Sequence, residues 1–452
     1  MRRMEFQDYL KRDNSCSCGR VHRCEIDTII IEPGALNQIV PILQKNQWKQ
    51  LCIVEDIHTS KAAGEMVERL LKEAGLIPQV ICFEDDFLIP DEIALAKVVT
   101  DMDRNTDLIL AVGSGTINDL CKFISYKMKL DYMIIATAPS MDGYASNVAP
   151  LITNHAKVTY EASMPKAIIG DLNVLKDAPM NMIAAGVGDV LGKYVCLMDW
   201  KLSNCITGEY ICQEVIDLVD TAIDKVMQGT EKLLSRDQDA IASIMEGLIL
   251  SGIGMSYIGN SRPASGSEHH LSHYWEMMAL LKGGKIELHG TKVAIGTICG
   301  LKLYEKLMQD LTDPVTRKQI QSDETVINID HWKSEIKRVY MDAADSVITL
   351  ENKSKKNDPY EMNKRKECLI RQQEMLAAWV KKLPDSEKIT QILKMLSAKY
   401  LPIQAGVNRQ DFIDSILYAK DLRNRFGILQ ALTDLNLVKR YAEELATEFY
   451  HL

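Results

Sequence analysis

The sequence lacks three features that define other protein classes: an excess of positive charge, a long apolar run and an internal repeat. Its 452 residues carry a formal net charge of −9 at pH 7. This charge disfavours nonspecific binding to nucleic acid or to an anionic membrane. We find no uninterrupted apolar run of transmembrane length, and the charged opening MRRMEFQDYLKRDN lacks the apolar centre of a signal peptide. We therefore expect a cytoplasmic protein that binds neither nucleic acid nor membranes.

The order of strand-like and helix-like segments predicts two domains. Short, β-branched segments alternate with segments of helical period in the first half, which predicts a parallel sheet covered by helices. After residue 172 the strand pattern stops and long helical segments follow. We expect a dehydroquinate synthase-like fold, with an α/β nucleotide-binding domain at 1–172 and an all-α domain at 173–452. The predicted strands are 26–32, 50–56, 78–84, 108–114, 132–138 and 166–172, and the predicted helices between them are 35–46, 60–75, 90–105 and 116–129.

Cysteine is not scarce, and five of the eleven cysteines lie in predicted core elements: Cys52, Cys82, Cys121, Cys196 and Cys299. Reduced core thiols are the ordinary interpretation for these. The N-terminal segment 1–25 differs, because three thiols and one imidazole lie close together there. Such a cluster could bind zinc, but it lacks the paired spacing of a zinc finger, so we favour a solvent-facing hairpin. The residues are Cys16, Cys18, His22 and Cys24.

Residues 313–400 have the weakest pattern in the second domain. Charged and polar residues dominate, and the segment 351–373 is rich in lysine. We favour solvated helix faces or loops over an interaction surface. An oligomer interface is the alternative that we keep for this region.

A glycine-containing turn follows the strand LILAV. Gly113, Ser114 and Gly115 precede a predicted helix, and backbone N–H groups in such a turn bind phosphate. The spacing is not GxGxxG, so a tight turn without a ligand is about equally compatible with the pattern.

Three further segments contain metal-ligand residue types. Asp189 lies in AAGVGDVLGKY, His269 in ASGSEHHLSHYWE and His289 in ELHGTKVAIGT. One carboxylate and two imidazoles form a common ligand set for a catalytic divalent ion. An ion pair between Asp189 and Lys193, one helical turn apart, is the alternative. His269 and His273 are likewise one turn apart, and His270 should face elsewhere.

Five motifs in order resemble the sn-glycerol-1-phosphate dehydrogenases, in particular their bacterial AraM-like branch. That family lies within the glycerol dehydrogenase, iron-containing alcohol dehydrogenase and dehydroquinate synthase group. The resemblance covers roughly residues 26–310. The motifs are GSGTIND at 113–119, TAPSMDGYAS at 137–146, GVGDVLGK at 186–193, SGSEHHLSH at 265–273 and LHGTKVAIG at 288–296.

The resemblance implies an NAD-dependent oxidoreductase of lipid biosynthesis, with NADP as the alternative cofactor. It would interconvert dihydroxyacetone phosphate and sn-glycerol 1-phosphate as a homodimer. Asp56 would accept hydrogen bonds from the adenine-ribose hydroxyls, although a strand-end Asp also commonly caps the next helix. The remaining cofactor residues implied are Gly113, Ser114, Gly115, Thr116, Ile117, Thr137, Ala138, Pro139, Ser140 and Ser146.

The resemblance also assigns the site residues of the second half. Asp189, His269 and His289 would hold one divalent ion, for which zinc, nickel and iron are all suitable. Asp142 and His273 would act on the substrate beside Asp189. The cations for the substrate phosphate are left open among Lys193, Arg262, Lys285 and Lys292.

Two other functions remain open on sequence grounds. A glycerol or polyol dehydrogenase, or more distantly a dehydroquinate synthase, would use the same scaffold. A non-catalytic relative is the third alternative, but such a protein has no physical need for three metal ligands.

Overall fold

The computed structural model describes residues 6–10, 14–153 and 156–450. Ten strands lie in the first part of the chain, and the described residues after 171 contain helices and no strand. This order confirms the predicted fold class. The strands are β1 (Asn14–Ser15), β2 (Val21–His22), β3 (Thr28–Glu32), β4 (Leu51–Asp56), β5 (Gln79–Phe83), β6 (Leu108–Gly113), β7 (Asp131–Ala136), β8 (Val148–Thr153), β9 (Ala156–Glu161) and β10 (Ala167–Asp171).

Six of these strands form one parallel sheet in the order β3-β10-β7-β6-β4-β5. All six predicted strands are present, with ends shifted by no more than two residues. The central strand β6 is buried at every position. Burial on both faces explains its continuous apolar sequence, which is typical of parallel sheets.

The helices occupy most of the remaining chain. The long ones in the first part match the predicted segments, except that 35–46 and 60–75 begin with the 3₁₀ turn Ala35–Gln38 and the π turn Ser60–Gly64. The helices are α1 (Ile39–Asn46), α2 (Ile57–Thr59), α3 (Glu65–Glu73), α4 (Glu92–Asp101), α5 (Gly115–Met128), α6 (Leu172–Leu175), α7 (Met180–Leu191), α8 (Lys193–Thr207), α9 (Gln213–Gly229), α10 (Gln238–Ile258), α11 (Ser267–Leu281), α12 (His289–Thr312), α13 (Pro314–Ser322), α14 (Ile329–Tyr340), α15 (Ala344–Ser354), α16 (Pro359–Arg371), α17 (Gln373–Val380), α18 (Ser386–Met395), α19 (Arg409–Tyr418), α20 (Ile428–Asp434) and α21 (Val438–Tyr450).

Contacts within the chain define two compact units. Unit 1 comprises Met1–Val190 and Gln213–Ser261, and unit 2 comprises Leu191–Cys212 and Arg262–Leu452. Helices α9 and α10 therefore belong with the sheet, whereas the sequence division after residue 172 assigned them to the second domain. Unit 2 is helical throughout its described residues.

Two antiparallel hairpins lie outside the six-stranded sheet, and only the N-terminal one was predicted. β8 pairs with β9 from Val148↔Glu161 to Thr153↔Ala156. β1 pairs with β2 through Asn14↔His22 and Ser15↔Val21. The second hairpin contains the expected N-terminal turn, but it is not simply solvent-facing, because His22 is only 3% exposed.

Helix α10 is long and apolar enough to cross a membrane by length and composition, a property that the sequence analysis did not identify. Of its most apolar 18-residue window, 94% is buried inside the protein. Contacts with α9 and with the 3₁₀ turn Asp142–Ala145 account for this burial. Its apolar character is thus that of a core helix.

Residues 313–400 form helices rather than loops. The lysine-rich segment lies on α15 and α16, and two of its lysines are buried, Lys356 and Lys366. Lys356 Nζ donates to the carbonyl oxygen of Arg423 at 2.9 Å. These two lysine side chains are therefore packed inside unit 2 and are not exposed to solvent.

Candidate active site

The turn between β6 and α5 is tight and leads directly into the start of a helix. A Cβ atom on Gly113 would lie 2.6 Å from Cβ of Ile117, so a side chain at this position is excluded. Helix α5 begins at Gly115, and the side chain of Ser114 makes no capping hydrogen bond. The first-turn N–H groups of a helix carry partial positive charge and are suited to an anion.

The strand register places the other candidate nucleotide-binding residues at the same edge of the sheet. Gly113 pairs with Ala136, so Thr137 immediately follows the neighbouring strand end. Thr137 N–H also donates to the carbonyl oxygen of Gly113 at 3.1 Å. Asp56 ends β4, the neighbour of β6 on the other side. The structure thus brings Asp56, the 113–117 turn and the 137–140 segment together within unit 1.

Asp56 performs the capping role that was the alternative interpretation. Its Oδ1 accepts the N–H groups of His58 at 2.8 Å and Thr59 at 2.9 Å. Both bonds use the same oxygen, and the side chain is partly exposed. Helix capping therefore uses Oδ1, so Oδ2 is the atom that would bind the ribose.

Lys122 anchors the loop that follows the 137–140 segment. This side chain is fully buried on α5, and burial lowers its pKa. Its Nζ donates to the carbonyl oxygens of Gly143 at 2.6 Å and Val148 at 3.0 Å, and to Oγ of Ser146 at 3.0 Å. The sequence analysis missed Lys122, whose position in a helical segment carried no distinguishing signal.

Two buried carboxylates of unit 1 lie next to each other. The N–H group of Asp142 donates to Oδ2 of Asp189 at 2.9 Å, and Asp189 is 0% exposed. Ser251 Oγ, on α10, donates to Oδ2 of Asp142 at 3.0 Å. Both carboxylates therefore have defined orientations.

A glycine three residues before Asp189 makes this proximity possible. A Cβ atom on Gly186 would lie 1.8 Å from the carbonyl oxygen of Pro139. Helix α7 can therefore approach the 137–140 segment only because residue 186 has no side chain.

Three imidazoles form a cluster within unit 2. The ring centroids of His269 and His289 are 5.2 Å apart, and those of His273 and His289 are 5.6 Å apart. One ligand nitrogen of His269 and one of His289 lie within 4.8 Å of each other, as two ligands of one metal ion must. The structure thus joins the two predicted imidazole ligands with the predicted substrate residue His273.

Glu268 fixes the orientation of His269. Its Oε1 lies 2.7 Å from Nδ1 of His269 and also accepts the N–H group of Gly266 at 2.8 Å. A carboxylate on Nδ1 leaves Nε2 of the imidazole available as a ligand, the usual arrangement beside a protein-bound metal. Sequence reasoning missed Glu268, although the acidic residue directly before the histidine pair was the available signal.

Asp199 holds the start of α11, the helix that carries His269. It accepts the backbone N–H of Ser267 at 2.7 Å and the hydroxyl of Tyr304 at 2.5 Å. Asp199 is fully buried, and burial raises its pKa. This buried anchor was also not predicted from the sequence.

A second set of ligand types in unit 2 overlaps the first. His273, Glu276 and His289 also have ligand atoms within 4.8 Å of one another. The carboxylate of Glu276, however, lies 3.4 Å from the ammonium group of Lys292, with both side chains nearly buried. Because this cation offsets the carboxylate charge, we favour His269 over Glu276 as the partner of His289.

His270 is separate from the imidazole cluster in its contacts. It is 3% exposed, and burial holds its pKa well below the usual range. The prediction that it faces away from His269 fits the ring contacts, which connect only His269, His273 and His289.

The four cationic candidates for the substrate phosphate differ in their contacts. Arg262 is committed to Glu209, with Nε to Oε1 at 3.0 Å, and to the carbonyl oxygen of Phe426. Lys193 Nζ donates to the carbonyl oxygen of Ala264 at 3.1 Å. Lys285 is exposed, and Lys292 lies beside Glu276. Arg262 is therefore the weakest candidate.

Comparison with known proteins identifies relatives along most of the chain. The sequence model of the family described as iron-containing alcohol dehydrogenase matches residues 30–179. A glycerol-1-phosphate dehydrogenase [NAD(P)+] from Geobacillus thermodenitrificans is 32% identical over 418 residues, covering 92% of this chain and 94% of that protein. A protein of the same name from Halalkalibacterium halodurans is 38% identical over 296 residues, covering 65% of this chain and 74% of its own length. The similarity thus extends beyond the expected range of 26–310.

Solved structures of low sequence identity share the fold. Glycerol dehydrogenase from Schizosaccharomyces pombe superimposes with a TM-score of 0.61 at 16% identity, covering 97% of this chain and 94% of that one. A probable glycerol dehydrogenase from Sinorhizobium meliloti gives a TM-score of 0.58 at 13% identity, covering 93% of this chain and 98% of its own. Together with the sequence relatives, these findings show that the chain belongs to the glycerol-1-phosphate dehydrogenase family, on the iron-containing alcohol dehydrogenase fold.

Proposed function

We propose that this chain catalyses the NAD(P)-dependent interconversion of dihydroxyacetone phosphate and sn-glycerol 1-phosphate. The observation that carries the proposal is the pair of imidazoles from His269 and His289, with His269 oriented by Glu268, in a chain whose 113–115 turn leads into the start of α5. The relatives' names supply the substrate.

The residues present fit one divalent metal ion. In our proposal His269 and His289 of unit 2 and Asp189 of unit 1 hold it. Two imidazoles and a carboxylate suit zinc, nickel and iron alike, so elemental analysis of the purified protein must identify the metal. When bound, the ion supplies Lewis-acid polarisation of the substrate's C2 carbonyl group.

The chain's own residues would position the substrate. Asp142 would accept a hydrogen bond from a substrate hydroxyl, with its carboxylate held by Ser251. His273, which is partly exposed, would bond the substrate or relay a proton through water. The backbone bond from Asp142 to Asp189 would keep both carboxylates in fixed positions while the substrate binds.

For the cofactor, we propose that the 113–117 turn binds the pyrophosphate. Thr137, Ala138, Pro139, Ser140 and Ser146 would surround the nicotinamide half. Asp56 would favour NAD over NADP, because its carboxylate repels a 2′-phosphate.

A coupled assay tests the proposed reaction. The enzyme is given dihydroxyacetone phosphate, dihydroxyacetone or glycerol with the matching form of the cofactor, and His269→Ala serves as the inactive control. We expect turnover with dihydroxyacetone phosphate, and a product that a glycerol-3-phosphate-specific dehydrogenase does not consume. Full consumption would contradict the sn-1 assignment, and turnover with glycerol alone would favour a polyol dehydrogenase.

We also propose a cytoplasmic homodimer. The location follows from the composition of the sequence, and the homodimer from the resemblance. Light scattering of the purified protein and fractionation of cells test them.

A further inference from the structure

We propose that the N-terminal segment holds a second metal ion, a structural zinc bound by Cys16, Cys18 and His22. One ligand atom from each of the three lies within 4.8 Å of the others. All three residues belong to unit 1. The site is independent of the proposed catalytic centre, and it requires neither the cofactor nor the substrate.

The distance between the cysteine and histidine donors fits a tetrahedral ion. Sγ of Cys18 and Nε2 of His22 are 3.4 Å apart. Zinc–sulfur and zinc–nitrogen bonds of ordinary length at a tetrahedral angle place two such donors about 3.5 Å apart. Both atoms can therefore bind one ion without rearrangement of the turn.

The second ring nitrogen of His22 has the kind of hydrogen-bond partner that is usual for a metal-bound histidine. Nδ1 of His22 lies 3.0 Å from the carbonyl oxygen of Tyr257. A carbonyl acceptor places the ring proton on Nδ1, so that Nε2 carries the lone pair toward Cys18. The ring also stacks on Tyr257, with centroids 5.1 Å apart and an angle of 11° between the planes.

The backbone of the turn supports the sulfur ligands as well. The N–H group of Cys18 points to Sγ of Cys16 at 3.5 Å. Gly19 N–H donates to the carbonyl oxygen of Cys16 at 2.9 Å, and its φ of +82° favours glycine. N–H groups directed at sulfur stabilise thiolates. Arg20 and Arg23 add positive charge to the same segment.

A metal would explain how so small a hairpin stays ordered. β1 and β2 have two residues each, and an isolated two-stranded ribbon is marginally stable at best. The end of α10 provides the remaining attachment, because Ser256 Oγ donates to the carbonyl oxygen of Arg23 at 2.9 Å. A zinc ion between Cys16, Cys18 and His22 would close the turn against α10.

Zinc is usually four-coordinate, so the three donors of unit 1 leave one position for a further donor. Cys24 is two residues from His22 but lies outside the group of close ligand atoms. Two thiolates and one imidazole favour zinc over harder divalent ions.

Metal content and cobalt spectroscopy test the proposal. Full-length protein is produced with zinc, and four variants are compared by elemental analysis: Cys18→Ser, Cys16→Ser, His269→Ala and the control Cys82→Ser, which removes a half-buried thiol on β5. We expect Cys18→Ser and Cys16→Ser each to lose one ion per chain, and Cys82→Ser to lose none. Cys18 is only partly buried, so its serine variant should fold.

Cobalt substitution separates the two sites. The proposed catalytic ligands include no thiolate, so sulfur-to-cobalt charge-transfer absorption reports the N-terminal site alone. We expect this absorption in the wild type and in His269→Ala, and its absence in Cys18→Ser. Trypsin should also cleave Cys18→Ser faster after the exposed Arg20 and Arg23 than it cleaves the wild type.

Unchanged metal content in Cys18→Ser, with no charge-transfer absorption in the wild type, would overturn the proposal. So would recovery of Cys16 and Cys18 from the native protein as a disulfide. Unchanged metal content in His269→Ala would contradict only the proposed function. The two failures are therefore distinguishable.

Discussion

Glu268 and His269 are neighbours in the chain whose side chains bond to each other, with Oε1 2.7 Å from Nδ1. Both are buried, so this carboxylate determines which imidazole nitrogen is available as a ligand. The acid beside the histidine thus supports the proposed metal site without being a ligand.

Glu268→Gln should weaken metal binding while retaining the fold. An amide of the same size lacks the charge that raises imidazole basicity, and loss of such a partner typically costs 10- to 100-fold in metal affinity. Competition with a chromophoric chelator measures the change. Glu276→Gln is the matched control, and an equal loss there would favour the ligand set of His273, Glu276 and His289.

His269→Ala should lose the catalytic metal and the activity, whereas His270→Ala should keep both. The structure adds a cost for the second variant. His270 is buried, so its truncation leaves a cavity and should lower stability by about 2–4 kcal/mol. Elemental analysis and denaturant unfolding check the pair, and loss of metal from both would show that the wrong histidine was assigned.

Asp56→Ser should narrow a preference for NADH over NADPH without a loss of stability. Charge repulsion of about 1–3 kcal/mol corresponds to a preference of roughly five- to a hundredfold. Serine still caps helices, whereas Asp56→Ala should lose about 1 kcal/mol with the cap. Ratios of kcat/KM and unfolding curves of the two variants separate the roles. A wild type that used NADPH better would rule out the proposed discrimination.

Lys122→Met should reduce activity through the position of Asp142. Its three donated bonds hold the 143–148 backbone, and displacement of a substrate-binding loop by about 1 Å can cost on the order of 100-fold in rate. We expect kcat/KM for dihydroxyacetone phosphate to fall about 10- to 100-fold. Lys127→Met, an exposed change on the same helix, is the control and should leave kcat/KM unchanged. Unaltered kinetics in Lys122→Met would show that the loop is held by other contacts.

Dihydroxyacetone should be a poor substrate even at saturation. Binding energy from the remote phosphate orients the reacting ketone, so its removal should lower kcat as well as affinity. Steady-state kinetics with both ketones check this expectation. Equal kcat values would mean that the phosphate contributes only to binding.

The four inner strands of the sheet could be predicted because they are buried on both faces. Segments such as LILAV have no other stable environment in a folded chain, so apolar runs located the strands within two residues. The β8–β9 hairpin was missed because its alternating, partly exposed positions resemble a loop after the nucleotide motifs.

The site could be predicted only in part, since ligand types are visible in a sequence and their supports are not. His269, His273 and His289 carry recognisable chemistry, and the structure clusters them. Asp199 and Lys122 do not, because a charged residue in a helical segment usually faces solvent. Only the fold shows that these two are buried and hold α11 and the Asp142 loop.

The contact between Gly186 and Pro139 limits how this enzyme could be redesigned. Because α7 lies directly against the backbone of the 137–140 segment, any side chain at residue 186 would displace that segment or the helix that carries Asp189. A library that varies the proposed active-site residues should therefore keep residue 186 as glycine.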